Sequence, residues 1–258
     1  MEKFWSYFYE IYEDIPRQGP GDRESTERAL RMLPPLTSGQ RILDIGCGSG
    51  TQTIDLAGVT AAQIVAVDSH QAFVTELVKR IVDHGLGSRI QTKVGDMNDL
   101  VFPDGSFDAI WCEGAIVIIT GFAKGLASWR RLLRPGGHMV VSELCWLRDA
   151  PPPEVKTFFE AEGADVTDVY SRQKAIVANG YRLVGDFVLP AVGWWDNYYV
   201  PLAESLARFK AKHADDPDAL AVAQRSQFEI DIYRKYPEHF GYVFFVMKRD
   251  ETWCAAHA

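Results

Sequence analysis

Cysteine is scarce and scattered in this chain. The four present (Cys47, Cys112, Cys145, Cys254) form no C-x-x-C pair, which excludes a disulfide scaffold or a zinc ribbon as the organising device. The six histidines (His70, His84, His138, His213, His239, His257) show no metal-ligand spacing, and no metal is expected. No stretch approaches the ~18 consecutive apolar residues of a membrane span. The opening MEKFWSYFYEIYED sets acids among its aromatics, where a signal peptide would need an apolar run. These absences lead us to expect a reducing cytoplasm and no membrane insertion. Long basic runs are missing as well: 27 Lys and Arg against 35 Asp and Glu leave a net charge of −8. Nucleic acid is therefore not an expected partner, because phosphate backbones are held by clustered Lys and Arg. Internal repeats and low-complexity tracts are absent too.

What is present suits one domain with its own core: 258 residues, 47% of them hydrophobic and 24% charged. Phe4, Phe8 and Tyr12 recur at helical spacing, with Trp5 and Tyr9 beside them. RQGPGD breaks that helix, and a second is expected through ESTERALRML before Pro34 and Pro35. From residue 41 strands alternate with helices. RILDI, IVAVD, IQTKV, FDAIWCE and HMVVSEL read as strands, with RPGG as a turn before the last. TQTIDLAG, QAFVTELVKRIVDHG and GFAKGLASWRRLL read as helices, the second with Ser69 as its N-cap and Gly85 as its stop. APPPEV reads as a connection and VTDVYSRQKAIVANG as another helix. YRLVGDFVLP and YVFFVMKR are expected to be two late strands, with a helical stretch at 191–240 between them.

Alternation of this kind predicts βαβ units and a mostly parallel sheet with helices on both faces. In such a sheet ligands sit beyond the carboxyl ends of the strands, where strand order reverses. The turn after the first strand, ILDIGCGSG, borders that place. Gly46, Gly48 and Gly50 remove side chains there and permit positive φ. The helix N-terminus that follows presents unpaired N–H groups. A nicotinamide fingerprint G-x-G-x-x-G fails, because the sixth position from Gly46 is Thr51. The pattern is instead D-x-G-x-G-x-G, and an acid (Asp44) ahead of the glycines suits a ligand carrying an ammonium group better than a pyrophosphate.

ILDIGCGSG resembles the first motif of the class I S-adenosylmethionine-dependent methyltransferases. Further pieces match in order: IVAVD ending in Asp68, VGDMNDL with Asp96 and Met97, PDGSFDAIWCEGA, and LLRPGGHMVVSE. The likeness covers about residues 38–145. It implies a Rossmann-like, doubly wound α/β fold with a seven-stranded sheet, mostly parallel with an antiparallel last strand and a helical insertion before it. It also implies S-adenosyl-L-methionine as cofactor, with Asp68 on the ribose hydroxyls, Asp96 on the adenine amino group and Met97 on the ring. Ser69 would lie beside them. By the same likeness Arg17 and Gln18, in a turn between two N-terminal helices, meet the methionine carboxylate. The flanks RQGPG, WCEGA and GYVFFVMKR look most like small-molecule methyltransferases grouped with quinone-biosynthesis C-methyltransferases. WCEGA stands where amino-methyltransferases acting on bases carry an Asn/Asp-Pro-Pro-aromatic motif, and its absence argues against nucleic-acid bases as acceptors.

Each residue also has a plainer role. Asp68 could cap a helix, Asp96 could hold its own loop, Met97 could fill core, and Trp146, Trp194, Trp195, Tyr198 and Tyr199 could be packing. Glu113, at the end of the fourth strand, could contact cofactor, hold substrate, act as base or cap a helix. The expectation is one domain over 1–258, with an N-terminal helical lid (1–36), a sheet core (37–190 and 241–250) and a helical substrate cap (191–240). The expected activity is in-line methyl transfer to a small-molecule acceptor, with Glu113, Glu143 and Tyr198, in that order, as candidate bases. A non-catalytic cofactor- or partner-binding protein and an NAD-dependent oxidoreductase are the alternatives. Homodimerisation and the atom methylated stay open.

Overall fold

The computed structural model describes residues 2–116 and 120–253; Cys254 and His257 lie outside the described residues. Five strands alternate with helices through the first part of the chain: β1 (Arg41–Ile45), β2 (Gln63–Asp68), β3 (Ile90–Val94), β4 (Phe107–Glu113) and β5 (Leu133–Trp146). A two-residue strand β6 (Thr167–Asp168), then β7 (Tyr181–Val188) and β8 (Phe240–Arg249), complete the set. The sheet order is β3-β2-β1-β4-β5-β8-β7, with β6 pairing β5 off this path. β1 to β5 run parallel, and β8 is inserted antiparallel between β5 and β7. Strand order therefore reverses between β1 and β4, and the crevice at their carboxyl ends is where a ligand belongs.

Successive residues of a strand face opposite sides, and both sides are covered. Ile42, Ile64, Ala66, Trp111, Val140 and Phe244 face one core. Leu43, Ile45, Val65, Cys112, Val141 and Phe245 face the other. The first core is roofed by α1 (Glu2–Glu13), α3 (Thr51–Val59) and α4 (Gln71–Asp83), together with the helices of the late insertion. The second is covered by α5 (Phe122–Arg130) and α7 (Val169–Ala178). α2 (Arg23–Leu30) packs on α3. Its N-cap is Asp22, which accepts from Ser25 N at 2.8 Å.

Three local expectations need correction. RPGG is the start of β5 rather than a separate turn, since pairing with β4 begins at Leu133 and resumes at His138 after a bulge. The proline-rich stretch opens a helix, α6 (Pro153–Ala161), because proline at a first helical position sacrifices only an N–H that has no intrahelical partner. Ser69 does not cap α4: the cap position is His70, and its N–H is taken by Asp68 Oδ1 at 2.9 Å. The 191–240 stretch is helical as read. It holds α8 (Ala191–Trp194), a π-helical turn (Trp195–Tyr199), α9 (Val200–Lys212) and α10 (Pro217–Lys235).

The glycine turn shows why its residues are what they are. Gly50 sits at φ 87°, and a Cβ there would run into the Leu77 side chain of α4. Gly50→Ala combines backbone strain with a core clash, and should cost roughly 1–3 kcal/mol. Urea denaturation followed by circular dichroism checks this; an unchanged midpoint would contradict the close packing of turn against α4.

Candidate functional site

The crevice is built from the ends of β1, β2 and β4 and closed from above by the N-terminal segment. Asp44 is fully buried within β1 and accepts from Thr53 Oγ1 of α3 at 2.6 Å, while its Oδ1 has no hydrogen-bond partner. Burial pushes its carboxyl up to about 7, and the nearby Glu113 charge adds to that, whereas Arg17 opposes it. Next comes the turn, with Gly46 and Gly48 both at positive φ. A Cβ on Gly46 would lie 2.9 Å from Ala115 Cβ and 3.2 Å from Met97 Cε. The close approach to Gly48 is made by the Gln18 side chain, whose Oε1 accepts from Ser49 N at 2.7 Å. Gln18 in turn donates to the carbonyls of Tyr12 and Ile15, tying α1 to the turn.

Asp68 closes the second side. Its carboxylate accepts from Gly48 N and His70 N, each at 2.9 Å, so it both shapes the turn and starts α4. Burial raises its pKa. Over it lies α1: Tyr9 stacks on His70 with centroids 3.7 Å apart, and Glu13 meets His70 Nε2 at 2.6 Å. Asp96 is exposed and binds within its own loop, accepting from Asn98 N and Nδ2. Met97 is buried, and its carbonyl accepts from Trp129 Nε1 at 2.9 Å.

Glu113 is the hub on the third side. One oxygen accepts from Thr26 Oγ1 of α2 and from Trp111 Nε1, both at 2.8 Å, and the other accepts from Arg17 Nη2. Trp111 and Glu113 are two apart on one strand and so share a face. A carboxylate with three donors is an anchor rather than a poised base. Arg17 is itself buried; its Nη1 makes no hydrogen bond and lies 4.0 Å from Asp55 Oδ2. The structure thus gathers Arg17, Gln18, Asp44, Gly46, Gly48, Asp68 and Glu113 around one crevice.

The other two candidate bases have different surroundings. Strand parity turns Glu143 toward the face of Cys112 and Cys145, opposite Trp111 and Glu113, and its Oε1 accepts from Leu144 N. Tyr198 lies under α1, donating to Tyr12 Oη at 3.4 Å, and burial raises its phenol well above its usual range. It is placed to donate a proton in a hydrogen bond, not to remove one. Trp194 packs on Tyr233 and Tyr242, and Trp146 on Phe159. Thr26, Thr53 and the Tyr9–His70 stack escape sequence reading, since each depends on helices meeting across the fold.

Residues 42–137 match the family described as methyltransferase domain. The sheet order and the glycine turn agree with that match. A solved S-adenosylmethionine-dependent methyltransferase from Geobacter sulfurreducens, in complex with S-adenosyl-L-homocysteine, is 25% identical with a TM-score of 0.79, over 95% of this chain and 98% of that one. Phosphoethanolamine N-methyltransferase 1 of Arabidopsis thaliana is 26% identical over 173 residues, 66% of this chain but 35% of that protein. The O-methyltransferase cnsE of Penicillium expansum is 31% identical over 134 residues, 52% of this chain and 47% of that protein. The chain spans about a third to a half of the length of these curated relatives. Among the described residues no helix is long and apolar enough to cross a membrane.

Two predictions follow from the geometry. Removing the Glu113 carboxylate (Glu113→Ala) strands a buried guanidinium, with an expected cost of roughly 3–5 kcal/mol. Limited proteolysis should then cut the N-terminal segment first; a variant as resistant as wild type would refute the anchoring role. Asp44 carries the pH signature. Its folded pKa, about 7, lies above the unfolded value of about 3.9, so the folded state holds an extra proton between them. That contribution to stability is present below about pH 4 and is lost as pH rises to about 7. Asp44→Asn should remove about one proton from the slope of unfolding free energy against pH in this window, measured by urea titration. An unaltered slope would count against it.

Proposed function

We propose that this protein transfers the methyl group of S-adenosylmethionine to a small-molecule acceptor by in-line displacement. One observation carries the reading. Two buried atoms without hydrogen-bond partners, Asp44 Oδ1 and Arg17 Nη1, flank the glycine turn. A buried polar group without a partner is costly. A carboxylate oxygen and a guanidinium nitrogen that each lack a hydrogen bond, the latter 4.0 Å from Asp55 Oδ2, together complement the ammonium and carboxylate of an α-amino acid end, which a nicotinamide dinucleotide lacks. The absence of a Cβ at Gly46 and Gly48 lets Ala115, Met97 and the Gln18 side chain close directly on the backbone of the turn, where the ligand's approach would need the same room.

In this reading Asp44 and Arg17 hold the amino-acid end, Asp68 receives the ribose hydroxyls, and Asp96 and Met97 border the adenine, with Gly50 and Ser69 shaping the turn and the start of α4. Bound S-adenosylmethionine supplies a methyl group already activated on a sulfonium centre. The chain's own work is then alignment and exclusion of water. Alignment of reacting groups is worth about 7–11 kcal/mol of barrier. Gln18 and Tyr9, both docked on the crevice from the N-terminal segment, serve as its lid, and the helices of 191–235 as the cap over the acceptor. Opening that lid releases product. Relatives named for transfer to an amine and to an oxygen support a small-molecule acceptor.

Calorimetric titration of the purified chain with S-adenosylmethionine and S-adenosylhomocysteine should give binding heat with both. Asp68→Ala should weaken each by about tenfold or more, the range for a lost hydrogen bond to a charged group. Absence of heat with either ligand, or an unchanged affinity in the variant, would reject the assignment.

A further inference from the structure

A second polar centre lies outside the crevice. Glu229, on α10, is partly buried and accepts from Tyr199 Oη at 3.2 Å. Tyr198, the neighbour of Tyr199, lies in the same group and donates to Tyr12 Oη. The π-helical turn at Trp195–Tyr199 adds a residue to that stretch, and both tyrosines in it are buried. Burial pushes the Glu229 carboxyl up to about 7, with the Glu162 charge acting in the same direction. The same burial holds the phenols of Tyr12, Tyr198 and Tyr199 above their ordinary range, so all three are neutral near pH 7.

From Glu229 a narrow cavity of about 50 Å³ leads outward between α1, α6 and α10. Phe4, Phe8, Tyr12 and Phe158 supply its aromatic walls. Phe8 and Tyr12 stack with centroids 4.3 Å apart. Arg225 and Glu162, paired through Nε and Nη2 of the guanidinium, lie on this lining, with Arg225 also 5.2 Å from the centre of the Phe4 ring. At the inner end, the Tyr12 carbonyl accepts from Gln18, which holds the glycine turn. On the far side Tyr242 presses against Gly114, next to Glu113; a Cβ there would lie 2.7 Å from its ring. Tyr12 is thus shared: its side chain lines the cavity, and its carbonyl is tied through Gln18 to the glycine turn.

The charges along this path are uneven. Arg225 is committed to Glu162, and Arg17 to Glu113. Among the described residues, no Lys, Arg or His forms an ion pair with Glu229. An anionic acceptor would meet this carboxylate unshielded, and a neutral one would leave it without a counter-charge. An ammonium group would neutralise it and gain further from the rings around it.

We propose that this cavity is the acceptor's entry path, that the acceptor is an amine arriving in its ammonium form, and that Glu229 is the carboxylate that pairs with it. The proposal rests on the methyltransferase reading above. Before nitrogen can accept a methyl group one N–H bond must break. Its electron pair stays on nitrogen as the attacking lone pair, and the proton passes to a Glu229 oxygen. Tyr199 steadies the carboxylate during this step. At 50 Å³ the cavity has room for little more than water, so entry requires the Arg225–Glu162 pair to part.

The test uses the full chain saturated with S-adenosylhomocysteine, titrated calorimetrically at pH 8 with matched pairs: tryptamine against tryptophol, and benzylamine against benzyl alcohol. Each amine should bind at least tenfold more tightly than its alcohol. Glu229→Gln should erase that preference with S-adenosylhomocysteine affinity unchanged, and Glu229→Asp should retain part of it. Equal binding of amine and alcohol by the wild type overturns the proposal whether or not the variants fold, and so does a preference that survives in Glu229→Gln. If S-adenosylhomocysteine binds and no amine preference appears, only this proposal fails. If S-adenosylhomocysteine does not bind, the cofactor reading falls with it.

Discussion

The buried carboxylate of Glu113 is the point on which the rest of this architecture hangs. It stands at the carboxyl end of β4, on the side of the strand-order reversal, and draws donors from three separate elements: Arg17 from the N-terminal segment, Thr26 from α2 and Trp111 from its own strand. A buried ion pair is weak evidence of net stability, because desolvation offsets much of the attraction. Its value here is positional. With Glu113 satisfied, Arg17 is held with one nitrogen that makes no hydrogen bond, and the helices on either side of it have one place to sit.

That anchoring explains why the lid and the cradle fit. Gln18 follows Arg17 and lands on Gly48, where only glycine leaves room for it. Tyr9, two turns earlier on α1, lands on His70 at the start of α4. Each contact covers a part of the crevice. The same segment also buries Ile11, Tyr12 and Ile15 in the core on that face of the sheet, so polar contacts at the crevice and apolar packing behind it fix it together.

The acceptor side is organised differently. There the roof is a dense aromatic cluster, with Trp194 stacked on Tyr233 at 4.5 Å and edge-on to Tyr242 at 5.0 Å. Tyr242 belongs to β8, the antiparallel strand, and reaches back over Gly114. The late insertion is thereby fastened to the sheet beside Glu113, and its Glu229 lines an aromatic cavity together with the Arg225–Glu162 pair.

The pattern of strands and helices was readable residue by residue, because burial on both faces of a parallel sheet forces short apolar runs between helical periods. RILDI, IQTKV and FDAIWCE occupy the very residues of their strands. The glycine turn was readable for the same kind of reason, since positive φ at alternate positions admits few residues other than glycine. Proline misled twice, in RPGG and in APPPEV, because it starts a helix or borders a bulge as readily as it ends an element. Asp44 and Asp68 could be placed from sequence because each is bound to its own strand end. Glu113 could be located but not assigned a role, as its partners lie 87 and 96 positions away in the chain. Which way Glu143 and Tyr198 face was not legible, since the pleat of β5 sets the first and packing of the π-helical turn under α1 sets the second. Local periodicity and backbone sterics thus determined the elements and the cradle from sequence alone. Tertiary packing alone decided which distant side chains meet there, because a hydrogen bond across the fold leaves no trace in the spacing of residues along it.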